Sequence, residues 1–166
     1  MLNSGKMKAE IISIGTELLL GEITDTNAVY LAEKLSELGI NVYHKTTVGD
    51  NAERLAAALR VSLGRADVVL ATGGLGPTED DVTAAAVAQV AGVDLVEDEA
   101  SAESIRSFAR QRGLKLLDGL LKQARVPRAS LAEHHEVPPE PRLGVLVAAV
   151  VDAGLPEERH VEAAER

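Results

Sequence analysis

Short apolar, β-rich segments alternate with segments of helical period along the first two thirds of the chain. Residues 9–14, 40–48 and 67–71 are predicted strands, and 93–96 is a candidate fourth strand. Strands that alternate with helices indicate an α/β protein whose parallel sheet is joined by right-handed crossovers. The segment 67–71 is apolar after its first residue, which is typical of a strand buried on both faces of such a sheet.

Helical segments are predicted between and after these strands, because apolar residues recur there at helical spacing. In chain order they run from Asp25 or Thr26 to about 38, from Asp50 or Asn51 to 63, from 78–81 to 91, and over 101–112. Asp, Asn and Thr suit helix N-termini, because their side-chain oxygens accept hydrogen bonds from unpaired backbone N–H groups. Glycines follow several of the predicted ends, where a helix commonly stops.

Composition narrows the class of ligand. Aromatic residues make up 2% of the chain and the formal net charge is −9, so neither base stacking nor phosphate neutralisation by basic side chains favours nucleic-acid binding. Cysteine is absent, which agrees with a reducing cytosol. No apolar run reaches the roughly 20 residues that span a bilayer. We therefore expect a cytoplasmic, single-domain protein of 166 residues that binds neither nucleic acid nor membrane.

A glycine-rich turn, residues 72–81, follows the third predicted strand. Gly73, Gly74 and Gly76 allow positive φ angles and a close approach of the backbone to a ligand. A turn between the end of a strand and a helix N-terminus directs several N–H groups to one place, which favours phosphate. The turn has neither the Lys-Ser/Thr of a P-loop nor the spacing of a dinucleotide fold. On spacing alone, a phosphate site and a plain strand-to-helix turn are equally good interpretations.

Three consecutive acids, Glu79, Asp80 and Asp81, stand at the end of this turn. Acids in a first helical turn complement the helix dipole, and Thr78 with Asp81 resembles a capping box. One or two acids would be enough for that purpose. Because Mg²⁺ is bound by one or two carboxylates together with phosphate oxygens, we expect Asp81 or Asp80 to hold a divalent cation or to act as a general base.

Polar residues also follow the first two predicted strands, at 15–17 and 49–51. Each has a plain alternative: Asp50 could cap a helix, and Thr16 and Glu17 could lie in a solvated loop. The carboxyl ends of parallel strands share one edge of the sheet, where ligands usually lie. We therefore expect these two loops to converge with the glycine turn and to form a site.

Four ordered segments resemble the amino-terminal domain of the CinA family of competence/damage-inducible proteins. They are IGTELLLGEI at 14–23, DTNA at 25–28, TVGDN at 47–51 and TGGLGPTEDDVT at 72–83. The similarity is continuous over 8–113, and the domain belongs to the molybdopterin-binding superfamily of MogA and MoaB. The resemblance implies a three-layer α/β/α fold with a mostly parallel sheet, and a homo-oligomer.

For this domain the resemblance implies metal-dependent hydrolysis of ADP-ribose to AMP and ribose 5-phosphate, with Mg²⁺ or a similar cation. The molybdopterin branch implies instead that a pterin phosphate is bound and adenylylated or loaded with metal. Either way, the expected partner is a small-molecule nucleotide or pterin phosphate. Matched by motif, the two functional aspartates fall on Asp50 and Asp81. The other ligand-binding positions are Gly73, Gly74, Gly76, Thr78, Thr16, Glu17 and Asn27.

The carboxy-terminal part departs from the family pattern. The predicted domain, 8–151, diverges after about residue 125 and precedes a polar tail at 152–166. Leu120 stands where relatives carry Asn, and 133–141 does not match their Asn-x-x-Gly-x-Ala-Pro-Gly loop. One wall of the site would then differ, which favours a third interpretation, a non-catalytic nucleotide-binding domain. The deamidase domain of full-length relatives is not expected within these 166 residues.

Overall fold

The computed structural model describes residues 7–115 and 118–128. Within these ranges the elements are β1 (Lys8–Ile14), α1 (Thr16–Leu20), α2 (Thr26–Glu37), β2 (Asn41–Val48), α3 (Ala52–Leu63), β3 (Val68–Thr72), α4 (Thr83–Ala91), β4 (Leu95–Glu97), α5 (Glu99–Gln111), α6 (Asp118–Lys122) and β5 (Arg125–Pro127). The predicted alternation of strands and helices is confirmed from β1 to α4. The predicted domain end at 151 and the tail at 152–166 lie outside the described residues.

The main sheet contains three parallel strands in the order β2-β1-β3. Parallel strands need long crossover connections, and α2 and α3 lie in those connections. Ile14 pairs with Val48, and Ser13 pairs with Thr72, at the carboxyl ends of the strands. The loops that follow the three strands therefore start from one edge of the sheet, as the sequence predicts.

Apolar side chains cover both faces of this sheet, because successive residues of a strand point to opposite faces. One core cluster joins the sheet to α2 and contains Ala9, Ile11, Ala28, Leu31, Leu35 and Leu70. The other joins the sheet to α3 and α4 and contains Ile12, Ile14, Val48, Leu55, Leu59, Val69, Ala71, Ala86 and Val87. The predicted three-layer α/β/α arrangement is confirmed, with α2 on one side and α3 and α4 on the other.

Side chains cap the N-termini of α2 and α3. Asp25 accepts a hydrogen bond of 2.9 Å from the N–H of Ala28, and Asn51 accepts one of 2.9 Å from the N–H of Arg54. Asn51, and not Asp50, is therefore the cap of α3. This leaves the Asp50 carboxylate for a contact outside its own helix.

The helix after the glycine turn begins later than predicted. α4 starts at Thr83 rather than within 78–81, so none of the three acids lies in its first turn. Thr83 is bonded to the glycine turn: its N–H donates to the Gly74 carbonyl at 3.1 Å and its hydroxyl to the Gly73 carbonyl at 2.7 Å. Asp81 closes a separate turn before the helix. The explanation of the acids as complements of the helix dipole is therefore wrong.

The remaining elements form a small layer next to α4. β4 and β5 pair antiparallel, and β5 contacts α4. β4 begins two residues later than the predicted start at 93, and α5 begins at Glu99 instead of 101, with Asp98 as its cap. The sequence did not predict α6 or β5. In the described part of the chain, no helix combines the length and the apolar character needed to cross a membrane.

Candidate functional site

A glycine stands directly after each strand of the main sheet, and each leaves room for a neighbouring group. Gly15 follows β1, Gly49 follows β2 and Gly73 follows β3. A Cβ at Gly49 would lie 3.2 Å from the Thr16 hydroxyl oxygen. A Cβ at Gly73 would lie 3.0 Å from the carbonyl carbon of Ile14 and closer still to its oxygen. The three loops therefore pack together, and the predicted convergence is confirmed.

Thr16 and Asp50 join the first two loops through reciprocal hydrogen bonds. The Thr16 N–H donates to Asp50 Oδ2 at 2.8 Å, and the Asp50 N–H donates to Thr16 Oγ1 at 3.2 Å. Thr16 is the first residue of α1, and Gly15 before it has no side chain that could cap the helix. The Asp50 carboxylate takes that role from the neighbouring loop. Asp50 is therefore fixed in position at the edge of the sheet.

A depression of about 140 Å³ opens between α1, the start of α2 and the end of β3. Its lining consists of Ile14, Glu17, Leu18, Ile23, Thr24, Asp25, Thr26, Asn27, Thr72 and Gly73. Asn27 Nδ2 donates to Thr72 Oγ1 at 3.2 Å, which links α2 to the end of β3. The predicted ligand residues Glu17, Asn27 and Gly73 thus surround one depression that has both carboxylate and apolar walls.

Each of the three glycines in the turn has a structural role. Gly73 and Gly74 have φ angles of 97° and 62°, so the predicted positive φ is found at both. Gly76 is needed for space, because a Cβ there would lie 2.7 Å from a carboxylate oxygen of Asp81. The N–H groups of Gly74 and Leu75 donate no hydrogen bond within residues 7–115 and 118–128. As far as the described residues are concerned, these two N–H groups are therefore available to a ligand.

The Asp81 carboxylate lies on the inner side of the glycine turn and is hydrogen-bonded to it. Its Oδ2 accepts hydrogen bonds from the Thr78 N–H at 2.8 Å and from the Thr78 hydroxyl at 2.6 Å. Partial burial would raise the pKa of Asp81, but hydrogen bonds from Thr78 and from the Gly76 N–H, with the charge of Lys122, hold this pKa below its ordinary value. Asp81 is thus an anion bound to backbone N–H groups of the turn predicted to bind phosphate.

The carboxylates of the site are not gathered into one metal cage. Asp80 is exposed, Asp50 contacts α1, and Asp81 contacts its own turn. Among the described residues, no three His, Asp or Glu side chains are grouped to hold a metal ion. Mg²⁺ takes oxygen donors and often only one or two carboxylates, with phosphate oxygens and water as its other ligands. One or two of these carboxylates therefore suit a cation that binds together with a diphosphate.

Two polar side chains that the sequence did not mark as functional contact the outer side of the glycine turn. The Lys122 ammonium donates to the Thr78 carbonyl, and Gln123 Nε2 donates to the Leu75 carbonyl at 3.3 Å. Lys122 ends α6, and Gln123 follows it. The end of α6 therefore fixes the conformation of the turn.

Gly119 explains why α6 can lie so close to the turn. A Cβ at this position would lie 2.7 Å from the Pro77 carbonyl oxygen, so a larger residue would push the helix away. α6 has five residues and no clear apolar period, which is why it could not be predicted from the sequence. A glycine inside such a segment was the one available signal, and it does not by itself identify a partner.

Comparisons with known proteins agree with this fold. A family model described as "Probable molybdopterin binding domain" matches residues 10–155. A crystal structure of CinA from Thermoplasma acidophilum, a protein of unknown function, superposes with a TM-score of 0.67 at 34% identity, over 74% of this chain and 72% of that one. The chain belongs to the CinA-like family of molybdopterin-binding domains. The predicted family is confirmed.

Curated relatives are longer than this CinA-like domain. A CinA-like protein of Dictyoglomus thermophilum is 52% identical over 124 residues, which are 75% of the chain and 30% of the relative. A Bacillus cytotoxicus protein named for competence-damage induction is 49% identical over 135 residues, which are 80% of the chain and 33% of the relative. The chain therefore spans about a third of the length of the curated relatives it matches.

Proposed function

We propose that this CinA-like domain hydrolyses the diphosphate of ADP-ribose to AMP and ribose 5-phosphate with the help of a divalent cation. The observation that carries the proposal is the placement of the glycine turn, with a carboxylate already held by its Thr78 N–H, beside a depression with carboxylate and apolar walls at the carboxyl edge of the sheet. Ligands of open α/β sheets usually bind at this edge. Membership of a family described as binding molybdopterin, itself a phosphate-bearing molecule, supports the same class of ligand.

The two parts of the site suit two parts of such a ligand. The backbone N–H groups of the glycine turn suit the phosphates, because aligned N–H groups bind anions. Glu17 and Asp25 line the depression and would repel a phosphate. Their carboxylates can accept hydrogen bonds from sugar hydroxyls, and the Asn27 amide can both donate and accept. A ribose therefore fits the depression, and the diphosphate fits the turn.

The chain's carboxylates supply the rest of the proposed chemistry. Asp81, with Asp80 or Asp50, would hold the cation, which when bound polarises a phosphoryl oxygen and lowers the pKa of water. Asp50 is anchored by the Thr16 N–H through Oδ2 alone. It can therefore also accept a proton from an attacking water without losing its place.

The first test is AMP release from ADP-ribose in the presence of Mg²⁺ or Co²⁺. We expect turnover by the wild type and rates at least about tenfold lower for Asp50→Asn and Asp81→Asn, because general acid–base and metal contributions are typically larger than that. Asn can still accept the hydrogen bond from the Thr16 N–H, so Asp50→Asn removes the charge and keeps the contact.

Asp67→Asn is the matched control. Asp67 also accepts a hydrogen bond from a backbone N–H, that of Lys8 at 2.8 Å, but at the start of β1 and thus at the opposite edge of the sheet. Its rate should equal that of the wild type. Equal rates for wild type, Asp50→Asn and Asp81→Asn, with all proteins folded, would refute the catalytic roles.

Molybdopterin binding is the second candidate function, and the description of the matching family favours it. A titration that compares molybdopterin with ADP-ribose separates the two, because tighter binding of the pterin would reverse their order. Binding of ADP-ribose without turnover would instead support a non-catalytic nucleotide-binding domain. Both outcomes leave the glycine turn as the phosphate-binding part, which Asp67→Asn should again not affect.

A further inference from the structure

The contacts on the outer side of the glycine turn orient its peptide groups. The carbonyl oxygens of Leu75, Pro77 and Thr78 face α6 and the residue after it. In a trans peptide the next N–H points the opposite way, and the chain has no cis peptide in its described part. The N–H groups of Gly76, Thr78 and Glu79 therefore point to the inner side of the turn. Such neighbouring N–H groups form a concavity, or nest, that binds anions.

The Asp81 carboxylate occupies this nest. It accepts hydrogen bonds from the Thr78 N–H and hydroxyl, and it lies against Gly76, where a Cβ would be 2.7 Å from its Oδ2. Lys122 lies behind the turn and donates to the Thr78 carbonyl, so its positive charge favours an anion in the nest. Asp81 thus uses the donors that a phosphate bound by this turn would need.

We propose that Asp81 is an internal substitute for a phosphate group, and that a phosphate-bearing ligand displaces it from the nest. The inference rests on one part of the proposed function, that the ligand carries a phosphate, and it does not require hydrolysis. Once displaced, the carboxylate is free to hold the cation that accompanies a diphosphate. Diphosphate and cation then bind in a coupled way, and Lys122 is the positioning residue that keeps the nest in shape.

The test is the binding of inorganic pyrophosphate without metal, in the presence of a chelator, measured by calorimetry. Asp81→Asn should bind pyrophosphate about tenfold tighter than the wild type, because a competing negative charge has left the nest and each factor of ten needs only about 1.4 kcal/mol. The opposite change is expected for Lys122→Met, about tenfold weaker binding. The pyrophosphate affinity of Lys122→Gln should lie between those of the wild type and Lys122→Met, because its amide can keep a hydrogen bond to the Thr78 carbonyl.

Asp67→Asn is the matched control, because it also removes one negative charge but lies at the opposite edge of the sheet, where its side chain accepts a hydrogen bond from the Lys8 N–H. It should change pyrophosphate affinity by less than about twofold if the effect depends on the nest and not on net charge. Three results would overturn the proposal: equal or weaker binding by Asp81→Asn, a gain in Asp67→Asn as large as that in Asp81→Asn, or no binding by any variant. Tighter pyrophosphate binding by Asp81→Asn, in a protein that does not hydrolyse ADP-ribose, would support the displacement and refute only the proposed reaction.

Discussion

Gly73→Ala should destabilise the domain by about 4 kcal/mol or more, a large part of the stability of an ordinary domain. The backbone φ of Gly73 is 97°, a conformation that costs an L-residue about 1–2 kcal/mol. In addition, the new Cβ would lie 3.0 Å from the carbonyl carbon of Ile14 and closer to its oxygen. These are backbone atoms of β1, the central strand, and they cannot move aside as a flexible side chain could. Urea unfolding followed by circular dichroism measures the loss.

Gly39→Ala separates the strain of positive φ from the clash. Gly39 has a φ of 73°, and a Cβ there would meet no atom within 4 Å. Its substitution should therefore cost only about 1–2 kcal/mol. If Gly73→Ala and Gly39→Ala lowered the free energy of unfolding equally, the close packing of the glycine turn on β1 would be disproved.

Arg65→Met should lower the free energy of unfolding at neutral pH by more than the roughly 1 kcal/mol that an exposed ion pair contributes, because it breaks an ion pair to a buried carboxylate. Glu10 lies on β1 with an exposed fraction of 0%, while the Arg65 side chain is 39% exposed. Arg65 donates to both carboxylate oxygens of Glu10, at 2.8 and 2.7 Å, and the Thr46 hydroxyl donates at 3.1 Å. Without Arg65, a buried carboxylate would lose its charge partner.

The pH dependence of this loss follows from the pKa of Glu10. Burial raises that pKa, but hydrogen bonds from Arg65, Ser62 and Thr46, together with the Arg65 charge, lower it below 4.5. The stability that Glu10 contributes is therefore present above pH 4.5 and is lost as the pH falls through the lowered value. In Arg65→Met the same pKa should rise above its ordinary value. The difference in unfolding free energy between the wild type and Arg65→Met should thus be greatest near neutral pH and should shrink in acid.

Arg110→Met is the control for Arg65→Met, because it breaks an exposed ion pair. The Arg110 and Glu103 side chains of that pair are 67% and 55% exposed, and such pairs contribute about 0–1 kcal/mol. Adding Glu10→Gln to Arg65→Met should recover part of the lost stability, since no charge is then left buried. A pH-independent effect of Arg65→Met, or one no larger than that of Arg110→Met, would contradict a stabilising role for the buried pair.

The layers of the fold were predictable because each depends on local sequence signals. Apolar runs such as 67–71 indicate strands with two buried faces, and Asp25 and Asn51 supply caps that need only their own helices. The ion pair of Glu10 was not predictable, because Arg65 is 55 positions away along the chain. A buried acid within a predicted strand indicates that a partner is needed and does not identify it.

The site was predictable as a set of loops and less so as a set of contacts. Three loops after parallel strands had to share an edge, and the structure joins Thr16 to Asp50 there. The role of Asp81 depends on a turn held by Lys122 and Gln123, which come from a short element without a periodic pattern. Tertiary contacts of this kind also delay the start of α4 beyond the predicted position.

The most direct measurement of phosphate binding by the glycine turn is an amide NMR titration of the isotope-labelled protein with ADP-ribose and Mg²⁺. The N–H signals of Gly74, Gly76 and Thr78 should move most, since these groups lie on the turn and the Asp81 carboxylate accepts the hydrogen bond of the Thr78 N–H in the free protein. The N–H signals of Lys8 and Asp67, at the opposite edge of the sheet, should stay in place. Saturating shifts at Lys8 and Asp67 with none in the glycine turn, or no shifts at all, would contradict the assignment of the turn as the phosphate-binding site.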